Sequence, residues 1–369
     1  MKEEKRNVSV DTLRSWLEDN KPVFILDVRP KEQREEWQIP GSHYLNAYDR
    51  LNKGDNSILD EIEIPSNTKV VTVCAAGRVS QIASDALRQK GIDAYSLDGG
   101  MKAWTTAWNV AEKIFADFEL LQVRRTGKGC LSYIISSNGD AVIIDASLPV
   151  EVYTKLIQQH NLSVKYIIET HIHADHLSRS NEAAHYFQVP LYLPVPNKVQ
   201  FPYNAITADT TFVIGGETLR SIPTPGHTVE SVSFYIEDNA VFTGDTIFTN
   251  GVGRPDLKAS TEESRQKATL LYQSLQKLLS LPDQVLIFPA HTNGPVDFDG
   301  KMISTTIGRA KNEIAMLHST EQDFVNNLLQ KIPPTPANYL SIVERNLTGE
   351  FSGINTNDLE AGANRCAIS

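Results

Sequence analysis

The sequence predicts an α/β protein of two domains, the first of which carries a parallel sheet. At 369 residues the chain is long for one hydrophobic core, so two domains are expected. In the first hundred residues, short apolar strands alternate with amphipathic helices, which is the order of a parallel sheet. A second series of strands begins near residue 118, and a histidine-rich motif follows one of them. The three observations together predict the two domains.

The elements of the first domain are readable in order. The segment SVDTLRSWLEDN spaces its apolar residues as a helix does, and VFILDV, KVVTVC and DAYSL have the composition of short buried strands. This pattern ends at LDGGMKAW, and AEKIFADF has the character of a connector. We therefore predict a first domain over residues 1–108, a linker over 109–117 and a second domain over 118–369.

The second domain is predicted to contain at least seven strands. These are LSYIISS, AVIID, VKYIIET, LRSIP, SVSFYIED, AVFTG and VLIFPAH. One helix is expected around EVYTKLIQQHN, and a longer helix is expected from Ser260, where STEE offers a capping box with Glu263. The sequence shows no repeat of fixed period and no low-complexity tract, which excludes solenoids and disordered arrays.

Composition and charge exclude several classes of partner. A net charge of -10 and a pI near 5.4 disfavour binding to nucleic acid or to acidic lipid. No apolar run is long enough for a membrane span, and MKEEKRNVSV lacks the features of a targeting segment. Three widely spaced cysteines, Cys74, Cys130 and Cys366, fit free thiols in a reducing compartment. We expect a cytoplasmic protein, and the sequence leaves open whether it forms a homo-oligomer.

Cys74 has the sequence context of a reactive thiol. It ends the strand KVVTVC and precedes the helix SQIASDALRQKG. A loop of this kind can point backbone N–H groups and the positive end of the next helix at a sulfur anion, which favours a thiolate or a persulfide. Cys130 and Cys366 lack such a loop, so we interpret them as a strand residue and a tail residue without chemistry.

Four motifs in this region resemble those of the single-domain rhodanese family. They are LDVR, the IPGS turn, the loop CAAGRVS and LDGGMKAW, and the resemblance covers roughly the first 105 residues. It implies that Cys74 accepts a sulfane sulfur as a persulfide and passes it to another thiol, with Arg78 binding the anionic sulfur donor. The loop departs from the family pattern C-x-x-G-x-R-S, because Arg78 falls one place early and Val79 takes its position.

The segment THIHADH, residues 170–176, predicts a metal site. His171 and His173 are two apart at a strand end and project to the same side, while Asp175 and His176 follow where the chain turns into a helix. Four ligand-type side chains therefore converge on one small volume.

Three further ligand-type residues follow other strands: His227 in TPGHT, Asp245 in FTGDT and His291 in FPAHT. The order H-x-H-x-D-H, then H, then D, then H, resembles the metallo-β-lactamase superfamily over about residues 115–369. The resemblance implies an αββα sandwich with the metal site along one edge of its sheets.

The sequence is compatible with more than one number and kind of metal ion. His171, His227 and Asp245 would form a two-histidine, one-carboxylate face with open positions, which suits non-haem Fe(II) and dioxygen. The other four candidates could complete a two-zinc site or orient the ligands; they are His173, Asp175, His176 and His291. Asp145, at the end of AVIID, is either another orienting group or a turn residue.

Further segments resemble persulfide dioxygenases more than glyoxalase II. They are GVGRPDL, the PAH strand end, STTIGRAKNE and PPTPANYLSIVERNL. This resemblance implies one Fe(II) per chain at His171, His227 and Asp245, and it implies that Arg254 contacts the glutathione end of the substrate. Thr292 and Asn293 stand where an Asp-Tyr pair is common.

The implied activity is the oxidation of glutathione persulfide, or a similar low-molecular-weight thiol persulfide, by O₂ to sulfite and thiol. Cys74 would exchange sulfane sulfur with thiosulfate or sulfite. Two alternatives share the same residues. One is a two-zinc hydroxyacylglutathione hydrolase, similar to glyoxalase II, fused to a rhodanese. The other is a sulfur-responsive relay or sensor with a structural metal.

Overall fold

The first domain is a five-stranded parallel sheet. A computed structural model describes residues 6–194, 199–336, 338–362 and 364–368. The strands are β1 (Asn7–Val8), β2 (Val23–Asp27), β3 (His43–Tyr44), β4 (Lys69–Val73) and β5 (Ala94–Leu97), and the helices are α1 (Val10–Glu18), α2 (Lys31–Glu36), α3 (Tyr48–Asn52), α4 (Arg78–Gln89) and α5 (Gly100–Trp104), with a 3-10 helix over Asn56–Glu61. The strand order is β1-β5-β4-β2-β3, and every pair is parallel. Apolar clusters cover both faces, as parallel sheets require.

The second domain is built from two larger sheets. Its strands are β6 (Asn109–Ile114), β7 (Glu119–Arg124), β8 (Leu131–Ser137), β9 (Asp140–Ile144), β10 (Ser163–Ile168), β11 (Leu191–Leu193), β12 (Asn204–Ala205), β13 (Thr211–Ile214), β14 (Glu217–Pro223), β15 (Val232–Ile236), β16 (Ala240–Gly244), β17 (Val252–Gly253), β18 (Leu286–Pro289), β19 (Thr305–Thr306) and β20 (Ala367–Ile368). One sheet has the order β12-β11-β10-β9-β8-β7-β6 and the other β13-β14-β15-β16-β18-β19. Strands β17 and β20 pair separately.

Helices cover the outer face of each of these sheets. The helices of the second domain are α6 (Val150–Gln159), α7 (Ser180–Phe187), α8 (Thr261–Leu279), α9 (Ile307–Glu313), α10 (Glu321–Gln330), α11 (Tyr339–Thr348) and α12 (Thr356–Leu359), with a 3-10 helix over Ala315–His318. Helices α6, α7 and α11 pack on the seven-stranded sheet, and α8, α9 and α10 on the six-stranded sheet. No helix within the described residues is both long and apolar enough to cross a membrane.

The two large sheets pack face to face. Aromatic side chains fill the space between them, including Tyr133 on β8, Phe234 on β15, Phe242 on β16 and Phe288 on β18. The neighbouring residue Ile134 points to the opposite face, into the cluster beneath the helices, because side chains alternate along a strand. The layers are therefore α, β, β and α, which confirms the predicted sandwich.

Helix α8 begins where the sequence predicts it. The Ser260 side chain accepts a hydrogen bond from the Glu263 N–H, and the Glu263 carboxylate accepts one from the Ser260 N–H. This capping box satisfies two backbone donors that the first turn would otherwise leave free.

The structure corrects the prediction of a linker at residues 109–117. Residues Asn109–Ile114 form β6, which pairs antiparallel with β7 at the edge of the seven-stranded sheet. An edge strand needs only one ladder of hydrogen bonds, and NVAEKI exposes Glu112 and Ile114 while burying Asn109 and Ala111. Because of this mixed polarity, the segment does not read as a buried strand, and the sequence alone indicated a connector.

The two domains contact each other directly. The indole N–H of Trp37 in the first domain donates to the carbonyl of Thr126 at 3.1 Å, and the Gly127 N–H donates to the carbonyl of Ala107 at 3.3 Å. The Phe298 ring packs against Trp104 of the first domain, with ring centroids 6.4 Å apart. The first domain is thus docked on the sandwich through backbone hydrogen bonds and apolar packing.

Gly127 lies where the two domains touch, so a substitution at this position tests how closely they are docked. A Cβ atom at this position would lie 1.8 Å from the carbonyl oxygen of Trp104, and neither backbone can yield without separating the domains. We expect Gly127→Ala to destabilise the protein by about 1–3 kcal/mol and to lower Tm by roughly 3–10 °C in a thermal melt. Gly294→Ala is the control, because a Cβ there meets nothing within 4 Å. Equal Tm values for the two variants would contradict close docking at Gly127.

Candidate functional site

All seven predicted ligand-type side chains meet at one edge of the sandwich. The motif THIHADH follows β10, His227 follows β14, Asp245 follows β16 directly, and His291 follows β18. Each of the seven is at most 4% exposed: His171, His173, Asp175, His176, His227, Asp245 and His291. The edge where these strands end therefore forms a buried polar cluster.

His171, His227 and Asp245 form a first ligand set. Their ligand atoms all lie within 4.8 Å of one another. Asp245 Oδ2 is 3.8 Å from His171 Nε2 and 3.5 Å from His227 Nε2. His171 Nε2 and Asp245 Oδ2 are buried and have no hydrogen-bond partner among the described residues. Unpartnered buried atoms that face one another fit a single metal ion, which would replace the missing hydrogen bonds.

The outer nitrogens of both histidines in this set are held by hydrogen bonds. His171 Nδ1 lies 2.9 Å from Thr170 Oγ1, and His227 Nδ1 donates to the carbonyl of Arg254 at 2.7 Å. Each ring thereby presents the lone pair of Nε2 to the metal position. Burial lowers the pKa of both imidazoles, and the neutral form that results is the one that binds metal.

A second set consists of Cys130, Asp175, His176 and His291, whose ligand atoms also lie within 4.8 Å of one another. Asp175 Oδ1 is 3.0 Å from His176 Nδ1, and Asp175 Oδ2 is 2.8 Å from His291 Nε2. His291 Nδ1 donates to Asp245 Oδ1 at 2.6 Å. Members of the second set therefore bind one another, and His291 links them to Asp245 of the first set.

His173 and Asp145 lie between the two sets. The His173 ring centroid is 4.2 Å from that of His171 and 4.2 Å from that of His176. Asp145 Oδ1 is 3.3 Å from His173 Nε2, and the Asp145 carboxylate accepts both the N–H and the hydroxyl of Thr170 at 2.8 Å. Of the two interpretations left open for Asp145, the structure supports the orienting group, because it holds Thr170 against His171.

Gly244 allows the strand that carries Asp245 to approach this network. Its φ is +52°, a left-handed conformation that favours glycine. A Cβ atom would lie 2.7 Å from Thr170 Oγ1. Any other residue would push β16 away from the hydroxyl that orients His171.

The structure corrects our interpretation of Cys130 and Cys366. Cys130 Sγ lies 3.5 Å from Asp175 Oδ2 and 3.7 Å from His176 Nδ1, and Cys366 lies beside Asp245. Burial opposes ionisation of Cys130, but the charge and hydrogen bond of His176 and a hydrogen bond from His291 together lower the Cys130 pKa to about 6. Burial and the nearby carboxylates raise the pKa of Cys366 well above its usual value. No local sequence pattern marks either thiol, because each reaches the site only through tertiary packing.

The structure also corrects the expectation that Arg254 contacts the substrate. Arg254 is fully buried, and its guanidinium binds both oxygens of Asp256 at 2.8 Å. Its remaining N–H groups donate to three backbone carbonyls, those of Pro333, Pro334 and Arg365. All five N–H donors thus have acceptors within the protein. Arg254 instead serves the metal site through its own carbonyl, which orients His227.

A cavity of about 470 Å³ opens beside His227. Its wall includes Ile172, Thr228, Glu230 and Tyr339, and it also includes Lys267 of α8. Lys267 Nζ donates to the carbonyl of Leu257 at 3.3 Å, and burial lowers the pKa of its ammonium group. No sequence pattern marks Lys267 as a functional residue, because a lysine on an amphipathic helix is ordinarily a solvated surface residue.

Cys74 occupies the predicted position between a strand and a helix. It follows β4, it is 2% exposed, and the Ser80 hydroxyl donates to its sulfur at 3.3 Å. Helix α4 begins at Arg78 after Gly77, whose φ is +89°. The Arg78 guanidinium is exposed and donates to Asn52 Oδ1 at 2.7 Å. The structure therefore places Arg78 on the surface beside the loop.

Comparisons with known proteins identify both halves of the chain. Residues 9–107 match the family model of the rhodanese-like domain, and residues 125–291 match that of the metallo-beta-lactamase superfamily. A hydroxyacylglutathione hydrolase of Tolumonas auensis is 34% identical over 163 residues, which are 43% of this chain and 60% of that protein. The chain thus spans less than two thirds of this relative's length.

Two solved structures resemble the second half at low sequence identity. A metallo-beta-lactamase from Staphylococcus aureus has a TM-score of 0.58 at 26% identity, over 64% of this chain and 74% of that one. ETHE1 from Myxococcus xanthus has a TM-score of 0.54 at 25% identity, over 62% of this chain and 97% of that one. The chain is therefore a rhodanese-like domain followed by a domain of the metallo-beta-lactamase superfamily, as the sequence motifs predicted.

Proposed function

We propose that the chain is an Fe(II)-dependent persulfide dioxygenase joined to a sulfurtransferase. The proposed reaction converts one thiol persulfide, one O₂ and one water into the thiol and sulfite. Glutathione persulfide, or a similar low-molecular-weight thiol persulfide, is the proposed substrate. The rhodanese-like domain would exchange the same sulfane sulfur with thiosulfate or sulfite through Cys74.

The observation that carries this proposal is the ligand type of the first set. His171 Nε2 and Asp245 Oδ2 lack hydrogen-bond partners and lie close to a ligand atom of His227, and two histidines with one carboxylate are the face used by non-haem Fe(II) oxygenases. In the second set, both ring nitrogens of His291 lie within 2.8 Å of carboxylate oxygens, although Nε2 of His176 and of His291 also lack a hydrogen bond among the described residues. The one-metal assignment therefore rests on the two-histidine, one-carboxylate face.

A ferrous ion in the first set would supply the one-electron chemistry that a reaction with O₂ requires. The protein's own contribution is to hold the three ligands and to shape the cavity at His227. Thr170 and the Arg254 carbonyl orient the two imidazoles, and Asp245 is kept in place by His291. Apolar residues of the cavity wall, such as Ile172, would limit water around the reacting sulfur.

Lys267 is the residue that we propose for binding the carrier thiol. Because the donors of Arg254 are all occupied, a substrate carboxylate would need a different cation as its partner. The Lys267 ammonium stands in the cavity wall, and Glu230 on the same wall can accept a substrate ammonium group. A zwitterionic peptide thiol such as glutathione carries both groups, so its charges match those of the cavity.

Hydroxyacylglutathione hydrolysis is the second candidate. The hydrolase of Tolumonas auensis supports it, and the second ligand set lies close enough to the first to hold another metal. The resemblance to ETHE1 fits the dioxygenase and spans nearly all of that chain. A cavity that opens at His227, one member of the first ligand set, argues against a purely structural metal in a sensor. We place the protein in the cytoplasm, because all three thiols are free.

One experiment separates the two enzymatic candidates. The protein is purified without oxygen, its iron and zinc are measured, and oxygen uptake on glutathione persulfide is compared with hydrolysis of S-lactoylglutathione. One iron per chain with oxygen uptake supports the dioxygenase. Two zinc ions per chain with thioester hydrolysis would establish the hydrolase instead.

The one-metal assignment predicts unequal effects of ligand substitutions. His227→Ala and Asp245→Ala each remove one of three ligands, so we expect iron affinity to fall more than about 100-fold and oxygen uptake to be lost. His173→Ala should retain most of the iron, since His173 contacts Asp145 and neighbouring rings. Iron content and oxygen uptake are measured on all three variants. Loss of iron from His173→Ala as complete as from Asp245→Ala would refute the assignment.

The carboxylate anchor predicts an effect on substrate affinity. Lys267→Met keeps the length of the side chain and removes its charge, so we expect KM for glutathione persulfide to rise about tenfold while kcat changes little. Lys277→Met is the control, because Lys277 also lies on α8 and donates to a carbonyl, that of Pro223, outside the cavity wall. Equal KM values in the two variants would remove Lys267 from the substrate site.

The proposal of two separate reactions predicts a selective effect at Cys74. Cys74→Ser keeps the shape of the loop but cannot form a persulfide, so sulfurtransferase activity with thiosulfate should be abolished. Iron content and oxygen uptake on supplied glutathione persulfide should remain near wild type. With thiosulfate and glutathione as the only sulfur source, the variant should lose any oxygen uptake that wild type shows. If it binds iron but cannot oxidise supplied persulfide, Cys74 takes part in the oxidation itself.

A further inference from the structure

Arg125 lies where three separate parts of the chain meet. Its Nε donates to the carbonyl of Thr105 in the first domain at 2.6 Å, and its Nη1 donates to the carbonyl of Ser147 at 3.2 Å. The same guanidinium binds the Glu360 carboxylate at 3.0 and 3.3 Å. Arg125 is 1% exposed and Glu360 is 3% exposed. One planar group therefore connects the rhodanese-like domain, the sandwich and the chain near its C-terminus.

Glu360 carries this connection to the predicted metal motif. Its carboxylate accepts the N–H of Leu177 at 2.6 Å, and Leu177 directly follows His176. Glu360 belongs to the C-terminal tail, which we define as the described residues 356–362 and 364–368. The Lys128 ammonium donates to the carbonyls of Glu360 at 2.8 Å and Gly362 at 3.3 Å, so the tail is held from two sides.

The C-terminal tail also reaches both ligand sets. Asn364 Nδ2 donates to Asp175 Oδ2 at 2.8 Å, and Cys366 lies beside Asp245 and His291. A shift of the tail would therefore move groups that contact a carboxylate in each set. Arg125 restrains the tail at Glu360, only four residues before Asn364.

On the side of the first domain, the connection begins at α5. Thr105 directly follows this helix, and the first turn of α5 binds the Cys74 loop. The N–H of Met101 donates to the Cys74 carbonyl at 2.9 Å, and the N–H of Lys102 donates to the Ala75 carbonyl at 3.0 Å. The Lys102 ammonium also pairs with Asp358 of the C-terminal tail at 2.6 Å. Helix α5 is thus in contact with both the sulfur loop and the tail.

We propose that Arg125 is a positioning residue through which the rhodanese-like domain holds the metal centre in its ligating geometry. It acts through Glu360 on the chain at His176 and, through the C-terminal tail, on Asp175 and Asp245. An arginine suits this role because its rigid fork binds acceptors from different segments at fixed angles. The proposal concerns the metal centre itself, so it holds whether the bound metal is iron or zinc.

The test compares Arg125 with its neighbour Arg124. Arg124 is also 1% exposed, and it binds Asn109 at 2.7 Å and Asp299 at 3.0 Å, away from the C-terminal tail. Full-length Arg125→Met, Arg125→Lys and Arg124→Met proteins are loaded with Co(II). Metal affinity is measured by competition with a chelator, the visible Co(II) spectrum is recorded, and Tm is measured alongside.

We expect Arg125→Met to weaken metal affinity about 10- to 100-fold and to change the Co(II) spectrum. Arg125→Lys should recover part of the affinity, because it keeps the charge but not the fork. Arg124→Met should lower Tm and leave metal affinity and spectrum as in wild type. The proposal is overturned if Arg125→Met lowers Tm as Arg124→Met does and leaves metal affinity and spectrum unchanged.

Glu360→Gln keeps the proposal testable if Arg125→Met fails to fold. This isosteric change preserves an acceptor for the Leu177 N–H and removes the negative charge that pairs with the Arg125 guanidinium. It should lower metal affinity in the same direction by a smaller factor. A folded Glu360→Gln protein with wild-type affinity and spectrum would overturn the proposal.

Discussion

Burial of ionisable groups at one edge of the sandwich is the constraint on which the rest of the structure depends. Five histidines and two aspartates lie there almost without solvent contact. Removing such groups from water is costly unless each finds a hydrogen bond, an opposite charge or a metal. His171 Nε2 and Asp245 Oδ2 have none of the hydrogen bonds that the described residues could offer. A bound metal would compensate these atoms, and neighbouring loops are arranged to keep them aligned.

Asp245 joins the two ligand sets because its oxygens serve different neighbours. Oδ2 faces the nitrogens of His171 and His227, whereas Oδ1 accepts a hydrogen bond from His291. A displacement of His291 in the second set would therefore also shift Asp245 in the first set. The thiols of Cys130 and Cys366 lie against this arrangement and bring polarisable sulfur close to the carboxylates.

The rhodanese-like domain is docked as part of the same structure. Strand β6 extends the large sheet directly from the end of the first domain, so no flexible arm separates the halves. Cys74 is buried in its own loop beneath α5, and the metal ligands are fixed to strand ends. With both reactive groups on rigid elements, we expect sulfur to pass between them on a small diffusible thiol.

The sequence by itself determined many of the elements and the list of candidate ligands. Strand and helix periods are local, so the buried strands, the capping box at Ser260 and the position of Cys74 before α4 could all be predicted. The spacing in THIHADH likewise places four ligands together without knowledge of the fold. Only the tertiary structure decided what lies beside them. Arg125 and Glu360 are 235 residues apart, and Asn364 and Asp175 are 189 apart, so neither contact follows from any short-range pattern. The same holds for Arg254, since the acceptors that occupy its donors include distant backbone carbonyls, whose positions depend on how the C-terminal segments pack.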